Sequence, residues 1–212
     1  MNLIDSRVGS QDFGNGIVAP LRSGHGADLL LNEALGQYYE VVKQGKVFCA
    51  SMQAGAAFGT VLSDATVPIT LFNPGASNVN LVVLASTFAM TASQTTTTNA
   101  PTVVYTANFS LTAAAVTGTA ITVRKALLGP GVGEGLAFSV ATLPAEGVVV
   151  RVFPWGHRCL LTTATERRQS SATDYVDGAI VLRPNTAISL QGLAATTGIT
   201  GIASILWAEI PI

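Results

Sequence analysis

The chain has 212 residues, enough for one sizeable β domain with an appended segment or for two small domains. Only 11% of the residues are charged, against about 25% in an ordinary soluble domain, although 49% are hydrophobic. The net charge of −1 gives no electrostatic reason to expect nucleic-acid binding, and so little charge predicts a surface that packs against other protein.

The apolar residues come in short runs separated by Gly, Pro, Asn, Ser and Thr. The best candidate for a membrane span, residues 81–90, is much shorter than the roughly 18–20 apolar residues that a spanning helix needs. The first seven residues lack the basic start and apolar core of a signal peptide. We therefore expect neither a membrane partner nor export.

Residues 1–26 are rich in Gly, Ser, Asp and Asn and carry only single apolar residues, such as Phe13, Ile17 and Leu21. So little apolar surface cannot form a core of its own. The composition predicts an extended arm that becomes ordered only by lying on another surface.

Over residues 27–44 the apolar residues recur at spacings of three and four, which predicts a short helix with one apolar face. Gly45 suits a left-handed stop after it. Gly36 weakens the helix interior, so the helix needs a packing partner. The residues that we expect to bind partners come from the arm and from this helix: Phe13, Ile17, Leu21, Leu30, Leu31, Leu35 and Tyr38.

From Lys46 onward the apolar period becomes two, and turn residues separate short strands. Short strands without intervening helices predict an antiparallel β-sandwich or barrel. We therefore divide the chain into an arm and helix, residues 1–45, and a β domain, residues 46–212. The Ser/Thr-rich segments 95–98 and 170–173 read as exposed turns. The predicted strands are 47–53, 67–72, 81–90, 103–111, 120–124, 137–141, 148–153, 179–182, 188–190 and 202–210.

The run from Leu71 to Gly75, Leu-Phe-Asn-Pro-Gly, followed by Asn-Leu-Val-Val-Leu at residues 80–84, resembles the opening strands of jelly-roll structural proteins of tailed bacteriophage virions. Residues 178–185 and the final strand ending at Ile210 resemble their closing region. The resemblance covers about residues 46–212. It implies a mainly β protein with an antiparallel jelly-roll β-sandwich, often trimeric, that serves as a capsid cement or decoration protein or as a fibre component.

The glycine loop Gly129–Gly135 lacks the Gly-Lys-Ser/Thr of a phosphate-binding loop, and Glu134 would repel a phosphate. We interpret it as a flexible hairpin or crossover loop. His25 and His157 do not form metal-ligand spacings with each other or with the two cysteines, so we expect no metal and no cofactor. Cys49 and Cys159 are expected to be buried free thiols.

No serine lies in a nucleophile elbow, and the paired carboxylates of a glycosidase would have to come from distant strands. The candidate carboxylates, all expected in loops that face solvent or a subunit contact, are Glu134, Glu146, Glu166, Asp174 and Asp177. Trp155 and Trp207 are expected to pack in the core, with a carbohydrate-stacking platform as the alternative.

We therefore interpret the chain as a non-enzymatic virion structural protein on the capsid surface, made in the host cytoplasm. Its expected partners are the major capsid protein and two further copies of itself in a homotrimer. The alternative is a head-fibre, tail or baseplate module that recognises a host cell-surface glycan through an exposed aromatic near Trp155 or Tyr175. A glycan-processing enzyme is the third interpretation, and it would need two carboxylates that converge in a pocket.

Overall fold

A computed structural model describes residues 37–91, 102–111, 116–129, 132–154, 171–193 and 199–212. By its contacts the chain divides into two compact units, Met1–Glu40 and Val41–Ile212. Within the described residues the protein is mainly β. The elements are α1 (Tyr39–Lys43), β1 (Val47–Ser51), β2 (Ala56–Phe58), β3 (Val67–Asn73), β4 (Val79–Met90), β5 (Thr102–Asn108), β6 (Thr117–Ile121), β7 (Arg124–Lys125), β8 (Leu136–Thr142), β9 (Val148–Val152), β10 (Ser171–Leu182), β11 (Thr186–Leu193) and β12 (Ile199–Pro211).

The helix is shorter in the described residues than the sequence pattern predicts. Residues 27–36 of the predicted helix lie outside the described ranges, Gln37 and Tyr38 form a turn, and α1 begins at Tyr39. Gly45 ends it as expected, with a φ of 70° and with its N–H donating to the Val42 carbonyl oxygen at 2.8 Å. No helix among the described residues is long and apolar enough to cross a membrane.

The strands form two antiparallel six-stranded sheets. In sheet I the order is β10-β4-β12-β1-β7, and β2 also pairs with β12. In sheet II the order is β6-β8-β3-β11-β5-β9. Every pair in both sheets is antiparallel, although most neighbours are distant in sequence. The predicted mainly β, antiparallel class is therefore confirmed.

One hydrophobic cluster draws on both sheets. Trp207, Phe48 and Phe88 of sheet I share it with Leu71 and Tyr105 of sheet II. The Phe48 and Trp207 rings stack with centroids 6.2 Å apart, and Trp207 is fully buried, which confirms core packing for this tryptophan. Alternating side chains of β3, β5 and β11 are among those that supply this core, as the period of two predicts.

A second, smaller cluster also packs on sheet II. Phe72 of β3 and Ala187 of β11 belong to it, together with Leu111 and Leu143 from the segments that follow β5 and β8. The hydroxyls of Thr70 and Ser189 form a buried hydrogen bond 2.8 Å long. Because this sheet is covered on both of its faces, β3 is buried along its whole length.

Two predictions about chain segments are wrong. Residues 171–173, interpreted as an exposed turn, form the start of β10, which pairs with β4 from Ser171 onward. The predicted strand 120–124 is divided, because β6 ends at Ile121 and β7 begins at Arg124 in the other sheet. Pairing with a long neighbouring strand overrides weak local β propensity in the first case. The predicted turn 95–98 lies outside the described residues.

Candidate interaction surface

Six of the seven residues expected to bind partners, all except Tyr38, lie outside the described ranges. Tyr38 is half-buried in the turn before α1. His25, Trp155, His157, Cys159 and Glu166 also lie outside these ranges. Cys49 is a free, half-buried thiol on β1, and burial raises its pKa.

Strand β9 of sheet II carries several exposed apolar side chains. This strand, Val-Val-Val-Arg-Val, is one of the two edges of the sheet and pairs only with β5. All four of its valines are exposed, and the pairing with β5 shifts register at Val150. An exposed apolar edge is a site at which further protein adds or packs.

The three other strands that end the two sheet orders carry more of the features that keep sheet edges apart. β7 is two residues long, and both residues are cationic. β6 reads Thr-Gly-Thr-Ala-Ile, and its register shifts around Gly118, whose φ is 154°. β10 has polar side chains at its exposed positions from Ser171 to Asp177, exposed apolar ones only at Ala179 and Val181, and a register irregularity between Tyr175 and Ile180. β9 is therefore the most apolar of the four edges.

A groove runs between β9 and β10, the edge strands of the two sheets. Its volume is about 440 Å³, and we name it the β9–β10 groove. Phe109 at the end of β5 and Val150 of β9 line it, and both are exposed to solvent. Arg183 is the one charged residue in its lining. Thr186 is the other polar residue of the lining, and the remaining lining residues are apolar, among them Ala107, Ile180, Val181 and Ile188.

An ion pair joins the two strands that border this groove. The Arg151 guanidinium on β9 donates from Nε and Nη2 to the two carboxylate oxygens of Asp174 on β10, at 2.9 Å each. Asp174 is buried, so its expected position in a solvent-facing loop is wrong. The hydrogen bonds to Asp174 raise the pKa of Arg151. Burial raises the pKa of the neighbouring Tyr105 phenol, and the Asp174 carboxylate adds to that increase.

The loop between β7 and β8 forms a second exposed apolar feature. Leu127, Leu128 and Val132 are all exposed, Leu128 by 92% and Val132 by 88%. We name these three residues the apolar loop tip. Exposed apolar side chains at a loop are a candidate site of protein contact.

The base of this loop is held by a buried carboxylate. Glu209 of β12 accepts hydrogen bonds from the backbone N–H groups of Glu134 and Gly135, each at 3.0 Å. Trp207 Nε1 donates to the same carboxylate at 3.3 Å. A Cβ on Gly133 would lie 2.5 Å from Glu209 Oε1, so glycine is required for this close approach. The loop is therefore held at its base by these hydrogen bonds.

Three of the described carboxylates, those of Asp174, Glu209 and Glu134, hold parts of the fold together. Both oxygens of Asp174 accept from Arg151, and Glu209 accepts from the loop backbone. Glu134 Oε2 accepts from the Asn78 backbone N–H at 2.8 Å. Among the residues that the structure describes, no three His, Cys, Asp or Glu side chains are grouped so that they could hold a metal ion.

Comparison of the chain with protein-family models, with curated proteins and with solved structures gave no match. The candidate site therefore rests on the geometry of the chain itself: the β9–β10 groove and the apolar loop tip.

Sequence reasoning did not single out either of these features. The signal for β9 was present in three consecutive valines, because a strand with one buried face ordinarily alternates apolar and polar residues. The signal for the loop tip was the Leu-Leu pair directly before Gly129, where a turn ordinarily carries polar residues.

Proposed function

We propose that the β domain is a jelly-roll sandwich. A jelly roll pairs its eight strands so that the first lies beside the eighth, the eighth beside the third and the third beside the sixth. Its second sheet joins the second, seventh, fourth and fifth strands in that order. When β2, β6, β7 and β8 are set aside, the remaining strands pair as β1-β12-β4-β10 and β3-β11-β5-β9. This order supports the jelly roll, with the four other strands as additions.

On this fold we propose a virion structural protein, a capsid cement or decoration protein on the outer surface of a tailed-phage head. The observation that carries the proposal is the pairing order of the strands, because jelly rolls of this order are common among viral capsid proteins. The low charge and the exposed apolar features on β9 and in the β7–β8 loop support a protein that works by packing against other protein.

The mechanism of this proposed function is mechanical. A rigid β body bridges neighbouring capsomers, and the arm and helix attach it to neighbouring chains. The residues proposed to bind include Phe13, Ile17, Leu21, Leu30 and Leu31. Each apolar contact contributes about 25 cal/mol per Å² buried before association costs are subtracted. Symmetric repetition of the contact over the head gives avidity, so single contacts need not be strong.

The attachment step is tested by deleting residues 1–26 and measuring co-sedimentation of the purified protein with phage heads. We expect the circular dichroism of the β body to be retained while the fraction bound to heads falls, because the truncated chain loses the apolar contacts that the arm is proposed to supply. The full-length chain with Val61→Asp, an exposed substitution in the loop before β3, is the control and should bind as wild type. Unchanged head binding of the truncated chain would remove the arm from the mechanism.

One observation favours a second candidate, a module that recognises a host cell-surface glycan. Tyr175 of β10 is 66% exposed, and an exposed aromatic ring can stack against a sugar. Under this function Tyr175→Ala abolishes binding on a glycan array, whereas Tyr39→Ala, at another exposed tyrosine, does not. Equal signals from both variants, or no binding by the wild-type protein, would contradict this candidate.

A further inference from the structure

We propose that the outer face of sheet I binds an uncharged glycan chain along a row of hydroxyl side chains that begins beside Tyr175. The inference rests on the second candidate function, recognition of a host cell-surface glycan. It deepens that candidate by naming the rest of the site and the charge class of the ligand. The proposed attachment to phage heads uses the arm and does not depend on this face.

Four hydroxyl side chains lie in one line across sheet I. Thr173 of β10 lies directly opposite Thr87 of β4. Ser204 of β12 lies opposite Thr87 on one side and opposite Ser51 of β1 on the other. Side chains of directly opposite residues project from the same face of a sheet, so the four hydroxyls share one face. With about 4.7–4.9 Å between neighbouring strands, this line, which we name the hydroxyl row, is about 14 Å long.

The hydroxyl row lies on the face that points away from the core. Phe88, the next residue after Thr87 on β4, belongs to the hydrophobic core, and successive side chains of a strand point to opposite faces. Thr173, Thr87 and Ser51 are exposed, and Ser204 is half-buried. The hydroxyls of Thr87 and Ser204 also hydrogen-bond to each other. The row is therefore accessible, and its centre is held in place before a ligand arrives.

Tyr175 lies at the β10 end of the hydroxyl row. It is two residues from Thr173 on the same strand, so both side chains project from the same face. The Tyr175 side chain is 66% exposed, whereas Ala85, directly opposite it on β4, is small and buried. The face therefore combines a surface for stacking with a line of hydrogen-bonding groups.

This combination fits a sugar polymer better than a protein. Each Ser or Thr hydroxyl can both donate and accept a hydrogen bond, as each hydroxyl of a sugar can. An exposed aromatic ring can stack against the C–H groups of a sugar ring. The cores of protein–protein interfaces are depleted in serine, and the exposed apolar features that suit a protein contact lie elsewhere, on β9 and in the β7–β8 loop.

The charge of the face sets the class of glycan. None of the four side chains of the hydroxyl row is charged. Arg124 is on the far side of the sheet from Tyr175, opposite Cys49 on β1. A carboxylate of an acidic sugar on the hydroxyl row would lose water without gaining a cationic partner from the row, which is costly. A neutral glycan has no such cost, so the ligand is a neutral glycan.

Two variants remove one hydroxyl each and keep the shape of the side chain: Thr87→Val and Thr173→Val. Thr119→Val, at an exposed threonine on β6 of sheet II, is the matched control. The wild-type protein is applied to an array of neutral and acidic bacterial surface polysaccharides. Isothermal titration with the polysaccharide that gives the strongest signal then measures each dissociation constant. Circular dichroism and thermal melting identify any variant that fails to fold.

We expect the wild-type protein to bind neutral polysaccharides. Thr87→Val and Thr173→Val should each raise the dissociation constant roughly five- to tenfold, because a hydrogen bond between uncharged groups contributes about that factor. The Thr119→Val control should bind as wild type. If one threonine variant does not fold, the other still tests the row.

Unchanged affinity of the folded threonine variants, beside lost binding in Tyr175→Ala, would confine the site to the tyrosine ring. That result would overturn this inference and leave the second candidate function standing. Binding to acidic polysaccharides alone would contradict the neutral class of ligand. No binding by the wild-type protein would remove both the glycan candidate and this inference, whereas the capsid function is tested separately by head binding.

Discussion

Replacing Arg151 with Met tests whether the ion pair between β9 and β10 holds the two sheet edges together. The change removes the guanidinium and leaves an apolar chain of similar length. The Asp174 side chain is 4% exposed, so its carboxylate would remain buried without its partner, whereas Arg151 is 37% exposed. Breaking a fully buried pair costs about 3–5 kcal/mol, and an exposed pair contributes at most about 1 kcal/mol.

Because one partner is buried and the other is partly exposed, we expect Arg151→Met to lower the free energy of unfolding by about 2–3 kcal/mol. Urea unfolding followed by circular dichroism measures this change. With a denaturant slope of about 2 kcal/mol per molar, the midpoint should fall by about 1–1.5 M. Arg124→Met, at an exposed arginine on β7, is the matched control and should stay within about 0.5 kcal/mol of wild type.

The double variant Arg151→Met with Asp174→Asn separates a buried charge from a general loss of packing. A neutral amide costs less to bury unpaired than a carboxylate. The double variant should therefore be more stable than Arg151→Met alone. The reasoning is refuted if Arg151→Met is no more destabilising than Arg124→Met, or if Asp174→Asn gives no recovery.

Two further predictions concern other buried groups. Because burial raises the pKa of Tyr105 above its ordinary value near 10, the folded state keeps this proton when the unfolded state loses it. The stability that this provides is fully present below pH 10 and declines above it by up to about 1.4 kcal/mol per pH unit. In urea titrations above pH 10, the free energy of unfolding should therefore fall less steeply with pH for Tyr105→Phe than for wild type. Identical slopes for the two proteins would contradict the assignment. Gly133→Ala should lower the free energy of unfolding by about 1–3 kcal/mol, because its Cβ would lie 2.5 Å from a buried carboxylate oxygen. The control Gly129→Ala, whose new Cβ would have its nearest contact at 3.8 Å, should leave stability unchanged in the same thermal or urea unfolding experiment. Equal effects of the two substitutions would show that the loop base is not tightly packed.

The strands themselves could be read from the sequence because their signal is local. Residues 67–72 and 81–90 alternate or run apolar between turn residues, and both lie within observed strands, β3 and β4. Gly45 was identified as a helix stop because a left-handed residue at that position is a requirement of the backbone alone. Features of this kind depend on a few neighbouring residues.

The position of Asp174 could not be read in the same way. Ser-Ala-Thr-Asp-Tyr has the composition of a loop, and its strand is stabilised by pairing with β4, more than 80 positions earlier in the chain. Its buried charge is compensated by Arg151, which is 23 positions away on the other sheet. Neither partner can be assigned without the pairing order of the strands.

The candidate surfaces were missed for a related reason. The exposure of the β9 valines follows from the position of β9 at the end of sheet II, and a sequence does not indicate which strand takes an edge. The groove combines residues from four strands of two sheets. The sequence predicted that the protein packs against other protein, but the groove and the loop tip required the arrangement of the chain in space.

The most direct test of the central claim is the abundance of this chain in purified virions, measured by mass spectrometry of its peptides against isotope-labelled standards and against the major capsid protein. A cement protein repeats with the symmetry of the head, so we predict a copy number comparable to that of the major capsid protein, in the hundreds per particle. A few to a few dozen copies would assign the chain to the tail or a fibre instead. Its absence from the particles would contradict the structural function altogether.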